Sequence, residues 1–496
     1  MTQYLNFKRM AACSGITAAG LALAAWVFAF GSPLCPAAPA TGLPLAAETF
    51  EAAWKIIQET HFDTNFNGLD WYRIREELKP RAEAAQTGDD LRAVIQDMLD
   101  RLGQSHMTII PGWVSRNLET RARPGASASK PNPDRGASGT QPAPAGTPSP
   151  PDSPSTGRPA AGLSGEVGME IRPWQGRYLV TRVDPLGPAA TAGVRPGWIL
   201  VSVDGDPVES FASGIPQRTN PRQAGLMAWS MVANRLKGPE EAPVRLEFLN
   251  GSDRQVGLEL KRQKAPGVPV KLGFLPQFHA AHQHERLPLA NGCTAGLVRF
   301  NLWMLPIAGA LDQAIDELRD ADGMILDLRG NLGGVAAMPM GFAGHFFTEP
   351  DSLGTMKTRD TVLQFRVNPR LVNPAGRRVQ PFSRPVAILV DAFSASTSEL
   401  FAGGMQALGR ARVFGQTTAG QVLPAMFDRL PNGDTLVHVF ADFQTPNHRR
   451  LEGLGVAPDE EAAYDRAGLL AGRDTQLEAA LKWLASAHRA VPESSP

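Results

Sequence analysis

"PVAILVDAFSASTSELFAGGMQALGRARVFGQTTAG" (385–420) places an apolar run of strand character, a loop carrying three serines and a helix-like stretch side by side. The alternation extends upstream through "AGLVRFNLW", "LDQAIDELRDA" and "GMILDLRGNLGG", so strands alternate with helices from about 270 onward. This predicts a layered α/β domain with its site in the loops at strand ends, after 328 and after 390. In the second loop Ser396 precedes a helix starting at Thr397, where free N–H groups and partial positive charge favour an oxyanion. The same letters also spell a capping box, Ser396 to Glu399, in which the serine only caps.

Length and charge bound the rest of the chain. With 496 residues it exceeds one ordinary core and calls for two or three domains. Lys plus Arg and Asp plus Glu number 49 each, so no net field recruits nucleic acid. Residues 47–122 open with helical periodicity in "FEAAWKIIQETHF", "DWYRIREELKPRAEAA" and "DDLRAVIQDMLDRLG", which predicts a helical module. Residues 123–163 are Pro, Gly, Ser and Ala with almost no bulky apolar residue, which predicts a disordered linker.

At the N-terminus Lys8 and Arg9 precede "AACSGITAAGLALAAWVFAF" (11–30) and then Ala38-Pro39-Ala40, a small-x-small cleavage form. Residues 1–40 therefore read as an export signal, or as an uncleaved membrane anchor, since twenty apolar residues reach the length of a span. Of Cys13, Cys35 and Cys293, cleavage after Ala40 leaves one and no intramolecular disulfide. The expected location is the bacterial cell envelope, periplasmic or anchored to the inner membrane.

"GEVGMEIRPWQGRYLVTRVDPLGPAATAGVRPGWILVSVDGDPV" (165–208) sets the strands "RYLVTRV" and "WILVSVDG" around a short helix, "GPAATAGV". The stretch resembles a PDZ domain as found in bacterial proteases, spanning 164–262. The resemblance implies binding of peptide C-termini by strand addition beside Val167, Gly168 and Met169.

"ILDLRGNLGG" (325–334), the serine stretch and "LEGLGVAPD" (451–459) together resemble the C-terminal processing (tail-specific) peptidase family, which includes the tricorn core protease. The resemblance runs over 47–465 and implies a crotonase-like (ClpP-like) catalytic core in 270–490. It assigns the nucleophile to Ser396, with Ser394 and Ser398 structural. Members with a serine–lysine dyad carry the lysine 25 positions after the serine, where this chain has Gln421, which has no titratable group. The tricorn-like branch instead takes its base from a histidine before the PDZ domain, which the motif in "RLGQSHMTII" places on His106. Its glutamate partner falls on Glu452 in "EGLGVAPD", completing a serine, histidine and carboxylate triad. His61, in the same helical module, is the rival base, and Glu452 has the alternative of pairing with Arg449 or Arg450. For the oxyanion hole the sequence offers the Thr397 amide and either Gly333 or Gly334; the alternative is that Gly-Gly is just a tight turn and that Asp327 and Arg329 form only a structural ion pair.

"HAAHQH" (279–284) reads as a loop without a metal motif, and no P-loop or cofactor is implied. The expectation is an exported serine endopeptidase acting on protein or peptide substrates, with PDZ recognition of their C-terminal tails. The alternative, motivated by Gln421, is a catalytically inactive homologue that binds peptides or ligands in the envelope. The substrate and the oligomeric state are not legible in the sequence.

Overall fold

The computed structural model describes residues 45–112, 164–215, 221–273, 277–290 and 292–487; the expected 1–40 leader and 123–163 linker lie outside the described residues. The described residues open with helices α1 (Leu45–Thr60), α2 (Trp71–Glu83) and α3 (Gly88–Asp100). Short polar side chains fix two of their starts, Asp70 accepting from the Arg73 N–H and Thr87 forming a capping box with Asp90. Apolar positions three and four apart bring Phe50, Trp54, Ile57, Trp71, Leu78, Ile95 and Met98 into one core. Full burial of each such side chain contributes about 1.5–3 kcal/mol. Leu423, Leu430, Leu436 and Val439 complete this core, and β1 (Thr108–Ile110) pairs antiparallel with residues 435–437. The loop carrying His106, between α3 and β1, is thereby joined to the C-terminal region.

A five-strand path follows: β2 (Met169–Trp174), β3 (Arg177–Val183), β4 (Ile199–Val203), β5 (Pro243–Leu249) and β6 (Gln255–Lys261), with helix α4 (Pro221–Leu236) between β4 and β5. The strands lie in the order β2-β3-β4-β5-β6 over their own core of Val180, Leu200, Leu246 and Phe248. β2 is therefore an edge strand, and α4 packs beside it.

The largest sheet of the C-terminal region runs β7 (His282–Pro288), β8 (Thr294–Phe300), β9 (Gly323–Asp327), β10 (Val386–Val390), β11 (Arg412–Gly415), β12 (Glu460–Glu461). From β8 to β12 all neighbours are parallel, and β7 is an antiparallel edge. β9 and β10 are buried at every position. Such unbroken apolar runs belong to a parallel sheet covered on both faces. Trp303, Phe342 and Phe401 form an aromatic cluster in the larger core, with Phe401 on the helix Thr397–Ala407. The helix Thr475–Ala487 contributes Ala480 and Leu484 to a second core with Ile325, Leu389 and Phe414. Since β9 and β10 are adjacent and parallel, the loops that follow them emerge at the same end.

One reading fails here. "HAAHQH" is no loop: its residues fall in the strand Phe278–Ala280 and in β7, which pairs with β8 over seven positions. His284 bonds Glu317 at 2.9 Å, and His282 stacks on His284.

Candidate active site

Ser396 stands half-exposed between β10 and the helix Thr397–Ala407, with φ 56° and ψ −119°. A residue with a Cβ occupies such a conformation at a cost of order 1–3 kcal/mol, so the surroundings must hold it there. Its N–H donates to the Gln421 carbonyl at 2.9 Å and to Glu399 Oε2 at 3.0 Å. Glu399 is fully buried and also accepts from the Gly420 N–H at 2.7 Å, the Gln421 N–H at 2.8 Å and the Thr418 hydroxyl at 2.5 Å. Burial pushes its carboxyl up to about 7 against these donors, which favour the charged form. Gln421 thus serves the loop through its backbone, N–H and carbonyl alike. The flanking serines are structural: Ser394 donates to the Leu328 carbonyl at 2.7 Å, while Ser398 donates to the Asn331 carbonyl and accepts from Trp303 Nε1, both at 3.0 Å.

The glycine turn presses directly on this serine. Gly333 has φ 96°, and a Cβ built on it would lie 2.7 Å from Ser396 Cβ and 3.0 Å from the Thr397 nitrogen. Any side chain there displaces the loop. Of the two glycines expected to offer a donor, Gly333 already gives its N–H to Asn331 Oδ1 at 3.0 Å. Gly334 and Thr397 remain as the candidate pair.

His106 lies in the turn before β1 with φ 57°. Its Nδ1 is 2.9 Å from Ser105 Oγ, and that hydroxyl donates to Glu452 Oε2 at 3.1 Å. The sequence reading had Glu452 orient His106 directly; in the structure the buried Ser105 stands between them. The residue adjoins His106 in "GQSH", but no local signal distinguishes it from an ordinary turn serine. The Ser105 N–H fixes the other carboxylate oxygen at 2.8 Å. Glu452 Oε2 also accepts from the Val422 N–H at 3.0 Å, and Val422 follows Gln421, which holds Ser396. One carboxylate therefore touches both the loop of the histidine and the segment bracing the serine. Among the described residues no hydrogen bond joins Ser396 to His106; such contacts often tighten only when substrate is bound.

Burial pushes the Glu452 carboxyl up and the His106 imidazole down to about 4. A base must be neutral, so protonation on acidification removes it, and a lowered pKa moves that loss to lower pH. We therefore expect kcat/KM to persist below the usual histidine value of about 6.5 and to fall only as pH approaches about 4. A pH profile, with circular dichroism recording the folded fraction, checks this; an acid limb at 6 or above contradicts it.

The rival residues have partners of their own. His61 is fully buried with Nε2 on Gln104 Oε1 at 2.8 Å and Nδ1 against the Asp63 backbone. Arg450 pairs with Asp442 at 2.8 Å. Arg329 grips Asp327 in a buried two-point pair at 2.9 and 2.7 Å. Among the described residues no group of three His, Cys, Asp or Glu side chains could hold a metal. Val167 and Gly168 lead into edge strand β2, their carbonyls accepting from the Ala189 and Asp184 N–H groups at 3.0 and 2.8 Å, and Met169 opens the strand.

Residues 294–462 match the model of Peptidase family S41, and residues 46–100 match the Tricorn protease C1 domain. A carboxyl-terminal-processing protease of Synechocystis sp. is 24% identical over 440 residues, covering 87% of this chain and 85% of that protein. The chloroplastic carboxyl-terminal-processing peptidase 2 of Arabidopsis thaliana is 26% identical over 433 residues, covering 85% and 70%. Among solved structures, the photosystem II D1 C-terminal processing protease has a similar fold, with a TM-score of 0.53 and 21% identity over 89% of this chain and 97% of that one. Mature CPAF gives 0.57 with 12% identity over 91% and 99%. Fold and family matches together define a serine peptidase. Residues 294–462 thus carry the pattern of Peptidase family S41, and the silent binding homologue is not favoured.

Proposed function

We propose that this chain is a serine endopeptidase in which Ser396 attacks the scissile carbonyl and His106 Nε2 takes the hydroxyl proton. The N–H groups of Gly334 and Thr397 stabilise the oxyanion of the tetrahedral intermediate. As that intermediate collapses, His106 returns the proton to the leaving amine, and water then hydrolyses the acyl-enzyme by the same route. Ser105 relays the orienting effect of Glu452 to the imidazole. The observation that carries this reading is the strained Ser396 backbone, held against a glycine turn and braced by the segment that Glu452 grips.

Around this site we assign a leader or anchor to 1–40, a helical module to 47–122, a linker to 123–163, a PDZ domain to 164–262 and a crotonase-like catalytic domain to 270–490. The position of β2 at the edge of its sheet, leading on from Val167, Gly168 and Met169, supports recognition of substrate C-terminal tails by strand addition. The predominantly apolar stretch at 11–30 supports export to the bacterial envelope. Among the described residues no helix is long and apolar enough to cross a membrane.

The test is labelling of the full chain by a fluorophosphonate probe, followed by peptide mapping. The adduct is expected on Ser396; no adduct, or one elsewhere, defeats the assignment. Ser105→Ala is expected to lower kcat on the order of 10³-fold with KM within about threefold, because an imidazole without its orienting contact loses the productive tautomer. A KM effect alone would make Ser105 a substrate contact.

A further inference from the structure

Arg172 lies on edge strand β2 of the inserted sheet and is only 3% exposed. Its Nε is 2.6 Å from Oδ2 of Asp391, the fully buried residue that follows β10. The other oxygen of Asp391 accepts the N–H groups of Gly330 and Phe393, each at 2.9 Å, and the Tyr464 hydroxyl reaches Oδ2 at 3.0 Å. One carboxylate thus ties the loop that leads to the glycine turn to the loop that leads to Ser396. The guanidinium also lies 5.6 and 5.8 Å from the rings of Trp229, on α4, and Phe393, which stack at 4.7 Å. Gly330 has φ 70°, and a Cβ there would fall 2.1 Å from Arg172 Nη2, so a side chain at this position would strain the loop and push the guanidinium aside.

Removing one partner of a buried ion pair leaves an uncompensated charge, and the groups that the remaining partner holds are displaced with it. Among the described residues Arg172 is the cation in contact with it. We infer that Arg172 is a positioning residue for the nucleophile loop, acting through its ion pair with Asp391. The inserted sheet is then a working part of the active site, beyond any part it has in receiving substrate tails. The inference rests on the serine-peptidase reading of Ser396.

The test compares Arg172→Met, Arg172→Lys and the double variant Arg172→Met with Asp391→Asn, each in the full chain. The readouts are fluorophosphonate labelling rate, kcat and KM on a casein-type substrate, and the thermal unfolding midpoint. In Arg172→Met the labelling rate and kcat are expected to fall about 100-fold with KM within about threefold, the scale of a displacement of about 1 Å at a reacting group. Arg172→Lys, which keeps the charge, should label within about tenfold of the parent. The double variant should also return to within about tenfold, because asparagine keeps an acceptor for Gly330 and Phe393 and leaves no unpaired charge. Should Arg172→Met fail to fold, recovery of both folding and labelling in the double variant still supports the inference. Labelling of Arg172→Met at the parent rate, or a folded double variant that labels about 100-fold slowly, overturns it. A parent that does not label at all removes the serine-peptidase reading as well.

Discussion

Replacing Ser396 by alanine is expected to lower kcat/KM on a casein-type substrate by on the order of 10⁵-fold or more and to abolish fluorophosphonate labelling. The variant removes one hydroxyl and little else. The contacts that fix the loop run through the Ser396 N–H and carbonyl, to Gln421, Glu399 and Leu400, and alanine keeps them all. The positive φ is equally costly for alanine and serine, so the backbone strain is unchanged. Loss of activity should therefore come with an unfolding midpoint within a few degrees of the parent. Undiminished turnover in this variant would mean a contaminant or a different nucleophile.

His106→Ala is expected to cost on the order of 10⁴-fold in kcat/KM and to slow labelling in parallel, because an unassisted serine hydroxyl is a weak nucleophile. Combining it with Ser396→Ala should add almost nothing, since residues that act as a unit do not lose activity additively. The loop around His106 has independent support: the Ser105 N–H on Glu452, Gln96 on the Met107 carbonyl and Met107 in the helical core. Its folding should survive the change. If His106→Ala labels at the parent rate, the base lies elsewhere and the fully buried His61 becomes the next histidine to test.

What the sequence made legible follows from how local each signal is. Apolar runs at 323–326 and 386–390 carry their own evidence of a buried parallel sheet, and the residues after them mark where a site would sit. Ser396, His106 and Glu452 were reached through motif resemblance, because their flanks repeat a pattern. Ser105 and Arg172 were missed: their partners, Glu452 and Asp391, lie 347 and 219 positions away, and no window of sequence contains both ends. The choice between Gly333 and Gly334 turned on the Asn331 side chain, which takes the first of the two N–H groups. "HAAHQH" misled because its polar composition reads as a loop, whereas edge pairing with β8 outweighs local propensity.

The spacing of the three proposed catalytic side chains has a bearing on how such an enzyme is made. His106 belongs to an early helical module, whose core stays open until Leu423 to Val439 arrive, and Ser105 finds Glu452 only 347 positions later. At about 5–20 residues per second of synthesis, that separation amounts to tens of seconds during which the proposed triad is incomplete, Ser396 itself emerging late in the interval. On the proposed triad, hydrolytic capacity arrives only when the last tenth of the molecule is made, because Glu452 belongs to it.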